Sequence, residues 1–283
     1  MTTPHFTPKL FSFLRDLAKN NDRDWFKANQ ARFEKDVREP LLRFIADSAP
    51  RFEKISPHVL AVAKKSGGAM FRIHRDTRFS NDKSPYKTHA AAQFRHAYGK
   101  DVHAPGYYLH LEPGSVFMGA GIWRPDTPSV TKIRAAIVHE PDRWKKVIGA
   151  AAFKKRFVME GESLKRPPRT VPKDHPLMED LKRKDFIVCV HYTQKDACDA
   201  GFLTTFLKDC RGASKFMGFL AEALTFPGDP AYSSSGPFSI TMSIALLTTL
   251  PIQRGSFFGS RLRLFGRSNV TVIRYRPGGS ASR

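Results

Sequence analysis

Residues 106–122, GYYLHLEPGSVFMGAGI, leave the chain few ways to fold. Through GYYLHLE the side chains alternate, with Tyr107, Leu109 and Leu111 on one side and Tyr108, His110 and Glu112 on the other. That is the period of a strand with one face against a core and the other turned away from it. Pro113-Gly114 is a turn signal, and Ser115 to Ile122 reads as the returning strand. Connections this short hold no crossover helix, so the sheet built around this hairpin is antiparallel.

The flanking segments supply the rest of a sheet and its cover. Lys9 to Asn20 places Leu10, Phe11, Phe13, Leu14 and Leu17 at helical spacing. Asn21 or Asp22 can cap a second helix bearing Trp25, Phe26, Phe33 and Val37, because a short side-chain oxygen accepts from the open amides of a first turn. Pro40 starts a fresh helical segment continued by Leu41, Leu42, Phe44 and Ile45. Val59 to Val62, Ala69 to His74 and Thr88 to His96 read as short strands, the first two separated by Ser66-Gly67-Gly68.

Beyond the hairpin, Thr127-Pro128 and Pro141 open helices, and 154–175 reads as a basic surface connection. Leu177 to Leu181 is a short helix candidate, Phe186 to Tyr192 a last strand, and Gly201 to Leu224 a long amphipathic helix. The expected fold class is α+β, an antiparallel sheet meander packed with N-terminal and C-terminal helices. It forms a single domain over residues 1–226, followed by an irregular tail.

That tail, 227–283, differs in composition from the body. It contains no lysine, seven arginines and a single acid, Asp229, with frequent Ser and Gly. The expectation is a disordered or non-native end; a membrane-touching segment is the other reading.

One stretch gathers most of the chemistry. Between Phe71 and His96 the chain carries Arg72, His74, Arg75, Asp76, Arg78, Asp82, Lys83, Tyr86, Lys87 and His89. Arginine offers a planar fork for carboxylate or phosphate, and lysine a mobile point charge. A histidine titrates near neutrality and can shuttle a proton. If 69–74 is a strand, Arg72 and His74 share a face. His74 and His110 are then candidate catalytic groups facing each other across the sheet. Arg72, Arg75, Asp76, Arg78, Lys83, Tyr86, Lys87, Tyr108, Trp123 and Arg124 are candidate ligand-binding residues. The competing reading is a lattice in which Asp76 and Asp82 neutralise the arginines and brace the loop.

Several chemistries lack their residues. His89, His96 and His103 are too scattered in sequence for a metal claim, and the three cysteines have no C-x-x-C spacing. GAGIWRP lacks both the full G-x-G-x-x-G and the P-loop Lys-Ser/Thr, so its glycines are read as allowing a bend or a close backbone approach. No G-x-S-x-G elbow is present. The reading calls for neither metal nor cofactor.

The segments FRIHRDTRFSNDKSPYKTH, DVHAPGYYLHLEPG and GAGIWRPD resemble the family called domain of unknown function 2461. FLRDLAKNNDRDWFKANQARFEKDVREPL and HPLMEDLKRKDFI are similar to it as well, so the resemblance spans about residues 8–226. It implies a soluble bacterial or fungal α+β domain, one per chain, with no established activity.

The formal net charge of +21 favours anionic partners without choosing among them. The first expectation is a domain, enzyme or binder, that takes an anionic small molecule, phosphorylated or carboxylated. The second is a nucleic-acid binder using the basic surface, and the third a protein-interaction module. No apolar run reaches the roughly 20 residues of a transmembrane helix, and the unpaired cysteine pattern fits a cytoplasmic location.

Overall fold

In the computed structural model the alternation in GYYLHLE becomes the centre of a sheet. The structure describes residues 3–97, 99, 104–169 and 171–225, and the tail from 227 lies outside the described residues. Six strands are present: β1 Val59–Leu60, β2 Ala90–His96, β3 Gly106–Glu112, β4 Ser115–Ile122, β5 Val158–Glu160 and β6 Phe186–Tyr192. They lie in the order β1-β2-β3-β4-β6-β5, and every pairing is antiparallel. With helices over this sheet, the chain is an α+β protein.

Register decides which side is core. Tyr107 pairs with Phe94 and Ala120, Leu109 with Ala92 and Met118, and Leu111 with Ala90 and Val116. On the β6 side Met118 pairs with Val190, Ala120 with Val188 and Ile122 with Phe186. Directly paired residues point to one face, so these side chains form a continuous apolar layer, and all of them are buried. The helices Pro8–Lys19, Glu39–Phe52, Phe202–Gly212 and Ser214–Ala223 pack on the sheet. Phe52 meets Phe94 at 4.6 Å and Tyr107 at 5.6 Å between ring centres, and Phe206 closes on Phe94 at 5.7 Å. Each fully buried phenylalanine contributes roughly 1.5–3 kcal/mol of apolar transfer.

Local chemistry sets several boundaries as the sequence anticipates. Asp22 caps the helix Arg23–Ala28 by accepting from the Trp25 N–H, and Pro40 sits in the first turn of Glu39–Phe52. Three places differ. The final helix divides into Phe202–Gly212 and Ser214–Ala223. The basic connection contains a further helix, Ala151–Arg156, and the strand β5. Residues 69–74 make only isolated bridges, Met70 to Ala92 and His74 to Tyr86.

The last difference has a clear cause. Arg75 N–H donates to Pro85 O and Lys87 N–H to Ile73 O, but Pro85 has no N–H to return. Tyr86 is tied elsewhere: its N–H donates to Asn21 Oδ1 at 3.0 Å, and its carbonyl accepts from Asn21 Nδ2 at 2.9 Å. His74 and Tyr86 are a non-hydrogen-bonded pair, so these Tyr86 groups point away from 69–74, and one asparagine satisfies both.

Candidate functional site on the open face of the sheet

The second face of the sheet follows from the same register. Ala91, His110, Phe117 and His191 form one cross-strand row. Gln93, Tyr108, Gly119, Cys189 and Val158 form the next, and Arg95, Gly106, Gly121, Ile187 and Glu160 the third. Three glycines at the middle of these rows leave a hollow where side chains would stand. The result is a cavity of about 430 Å³, walled by Phe71, Phe117 and Trp123, with His89, Gln93, Tyr108, His110, Glu160 and Cys189 also at its surface. That volume lies in the range of small-molecule sites, roughly 300–1,000 Å³.

Gly121 and Gly119 play different parts. Gly121 has φ +130°, and a Cβ there would lie 2.0 Å from the Phe186 carbonyl oxygen, so glycine lets β6 approach β4 closely. At Gly119 a Cβ would meet Tyr108 Cβ at 3.7 Å, Cys189 Sγ at 3.9 Å and Tyr108 Cδ1 at 4.0 Å, all ordinary contact. Its hydrogen therefore keeps the floor open without any backbone need.

Along β3, Tyr108, His110 and Glu112 are joined in a line. Tyr108 Oη stands 3.0 Å from His110 Nδ1, and His110 Nε2 stands 3.1 Å from Glu112 Oε2. Thr88 Oγ1 donates to the other carboxylate oxygen, Oε1, at 2.7 Å. His110 lies between two rings, with His89 at 4.5 Å and Phe117 at 4.7 Å between centres. His89 itself makes no hydrogen bond to any described residue.

Burial shapes the ionisation of this group. Loss of solvent, reinforced by the neighbouring His110, lowers His89 to about 4. His110 is lowered by burial, against the pull of Glu112 in the other direction. For Glu112, burial raises the pKa, but the Thr88 and His110 hydrogen bonds and the two nearby imidazoles outweigh it, and the net shift is downward. Burial drives Tyr108 upward, and it lifts Cys189 to about 12 with Glu160 adding to the effect.

The rim is held by a residue that sequence reasoning passed over. Asp185, 3 % exposed, accepts from the Arg124 N–H at 2.7 Å and from the Glu162 N–H at 2.8 Å. It thereby pins the loop after β4, where Arg124 adopts φ 47°, and the loop after β5. Trp123, 55 % exposed, stands at the cavity wall with the Arg124 guanidinium 5.6 Å from its ring centre. The approach of Gly161 to Asp185 belongs to the same anchor. A lone Asp ahead of a strand gives no sequence signal for such a role.

The charged stretch 72–87 divides into separate places. Arg75 pairs with Asp82 and donates to Ser84 Oγ, and Ser84 donates back to Asp82. Arg78 forks onto Asp76 at 2.9 and 2.6 Å, and Lys83 donates to the Thr77 carbonyl. His74 and Tyr86 border a different, open groove with Arg23, Phe26, Lys27, Arg75 and Lys83, and Tyr86 stacks on Phe26 at 4.1 Å. His74 thus stands with Tyr86 and Phe26, while the imidazole facing His110 is His89.

Lys87 is the cation of the stretch that reaches the Phe71 wall of the cavity. Lys87 Nζ lies 5.2 Å from the Phe71 ring centre and donates to the Arg72 carbonyl. Burial and the Arg72 charge lower its pKa. Among the described residues Lys87 has no ion-pair partner, while the Arg72 charge acts on the Asp76 carboxylate.

These features define a class of α+β protein with helices on one face of an antiparallel meander and a hollow on the other. The family model described as conserved hypothetical protein (DUF2461) matches residues 9–219, and the chain belongs to that family. Neither curated proteins nor solved structures give a match. Among the described residues no helix is long and apolar enough to cross a membrane.

Proposed function

We propose that the hollow on the open sheet face binds a small molecule with a ring-bearing apolar body and an anionic head, a carboxylate or phosphate. The observation that carries this reading is the cavity itself: aromatic walls over a glycine floor, with a few polar groups converging from neighbouring strands. Phe71, Phe117 and Trp123 supply ring surfaces, while Gln93 and Tyr108 supply directional hydrogen bonds. Lys87, a cation without a carboxylate partner beside the Phe71 wall, favours a negative group at that side. The loop pairs Arg75–Asp82 and Arg78–Asp76 already have their counter-charges, which weighs against them as the anion site.

A melting-temperature screen of aryl carboxylates and aryl phosphates tests this, with short oligonucleotides at two salt concentrations alongside. A compound at about 100 times its Kd adds roughly 2.7 kcal/mol of stability. The expected result is stabilisation by one compound class, quenching of Trp123 fluorescence, and loss of both in Gly119→Ala and Lys87→Ala. Stabilisation that is unchanged in those variants places the ligand elsewhere. Stabilisation by oligonucleotides alone, fading with salt, replaces this reading with nucleic-acid binding on the basic surface.

A further inference from the structure

We propose that His89, His110 and Glu112 form a centre for one divalent first-row metal ion, with its open coordination positions facing the sheet-face cavity. The inference rests on the reading of that cavity as a ligand site and names the ion that would share it.

Each of the three residues offers a ligand atom, and these atoms lie within 4.8 Å of one another. His110 Nε2 and Glu112 Oε2 are 3.1 Å apart. Two adjacent ligands of one ion, each with a bond of about 2.1 Å, stand about 3.0–3.4 Å apart. That pair is therefore already spaced for a shared ion. His89 packs on His110 at 4.5 Å between ring centres, makes no hydrogen bond to a described residue, and brings its ligand atom within 4.8 Å of the other two.

The groups behind the ligands hold them in orientation. A metal-bound imidazole needs its other nitrogen held by an acceptor, and a bound carboxylate needs its second oxygen occupied. Tyr108 Oη stands 3.0 Å from His110 Nδ1 and can accept its proton, leaving Nε2 for the ion. Thr88 donates to Glu112 Oε1 and leaves Oε2. Both orienting bonds point away from the shared space.

Donor chemistry narrows the ion. Two imidazoles and one carboxylate suit zinc, iron(II), cobalt(II) or manganese(II) better than magnesium or calcium, which prefer all-oxygen shells. Three protein ligands leave positions open, the pattern of a reactive rather than a purely structural site. His89 and His110 both line the cavity, so a bound molecule can reach those positions.

The test uses the full chain, stripped with chelator and titrated with cobalt(II) alone. The expected result is one ion per chain with visible d–d absorption, displaced by zinc(II), which such sites bind more tightly. His89→Ala and the near-isosteric Glu112→Gln should abolish the absorption, and Tyr108→Phe should weaken binding about 10–100-fold by freeing the imidazole. His74→Ala, in the separate groove, should change nothing. Absorption that persists in Glu112→Gln and His89→Ala, or no absorption in the wild type, overturns the centre. Because no organic ligand is present, the two readings fail separately. A one-to-one cobalt complex beside a silent compound screen upholds the metal centre and removes the anion reading. Compound binding that survives chelation, without any cobalt complex, does the reverse.

Discussion

The charged loop 72–87 and the open face of β3 hold similar side chains and treat them in opposite ways. In the loop, Asp76 closes on Arg78, Asp82 on Arg75 and Ser84, and Lys83 on a backbone carbonyl. Between Arg75 and Ser84 these charges are answered within a few residues, and that part of the segment braces itself. On β3 the neighbours along the chain point to opposite faces, so Tyr108, His110 and Glu112 cannot be answered by the residues between them. They bond to one another, and Tyr108 and His110 line a hollow. Density of charge marks a self-sufficient lattice here, and alternation marks the cavity.

Substitutions can break or sharpen this contrast. The largest effect is expected at Gly121, where alanine combines a left-handed backbone position with a clash against the Phe186 carbonyl. Gly121→Ala should cost about 2–4 kcal/mol in denaturant unfolding. Asp185→Ala should follow at about 2–3 kcal/mol, since two backbone N–H groups lose a charged acceptor. It should also raise the protease sensitivity of the loops after β4 and β5, and intact loops in a limited digest would count against the anchor.

Tyr108→Phe should lower stability by only about 1 kcal/mol, the loss of one side-chain hydrogen bond. Gly119→Ala should leave stability within about 0.5 kcal/mol while reducing occupancy of the cavity, measurable as lost Trp123 quenching. The smallest change is expected in the loop. Asp82→Ala removes an exposed partner of Arg75 and should scarcely move the melting temperature or the Trp123 signal. A strong loss of ligand binding there would reverse the ranking of the two regions.

Much of the fold was legible beforehand because it rests on local periodicity. The hairpin, β6, the capped helix at Asp22 and the proline-started helix at Pro40 all appear where pattern and capping chemistry put them. The site was less legible. Tyr108 and His110 were named from alternation, and Trp123 and Arg124 from their place after the glycines. His89, Asp185, Glu160 and Cys189 were not assigned to it. β5 went unseen because a three-residue strand in a basic, proline-bearing segment carries no period of its own. The strand expected at 69–74 gave way to bridges where Pro85 has no N–H to return to Arg75, and the Asn21 clamp on Tyr86 is a contact across 65 residues that no local pattern reports.

The sequence by itself determined that Tyr108, His110 and Glu112 share one strand face, that the opposite face is core, and that the sheet is antiparallel. Those are consequences of a two-residue period and short turns, physics that acts between near neighbours. Only the tertiary structure decided which imidazole meets His110, which cation reaches the cavity wall, and that three glycines from two strands fall in adjacent rows to hollow it out. Those depend on register between strands and on where loops are tied down, which is set by packing and hydrogen bonds among residues far apart in the chain.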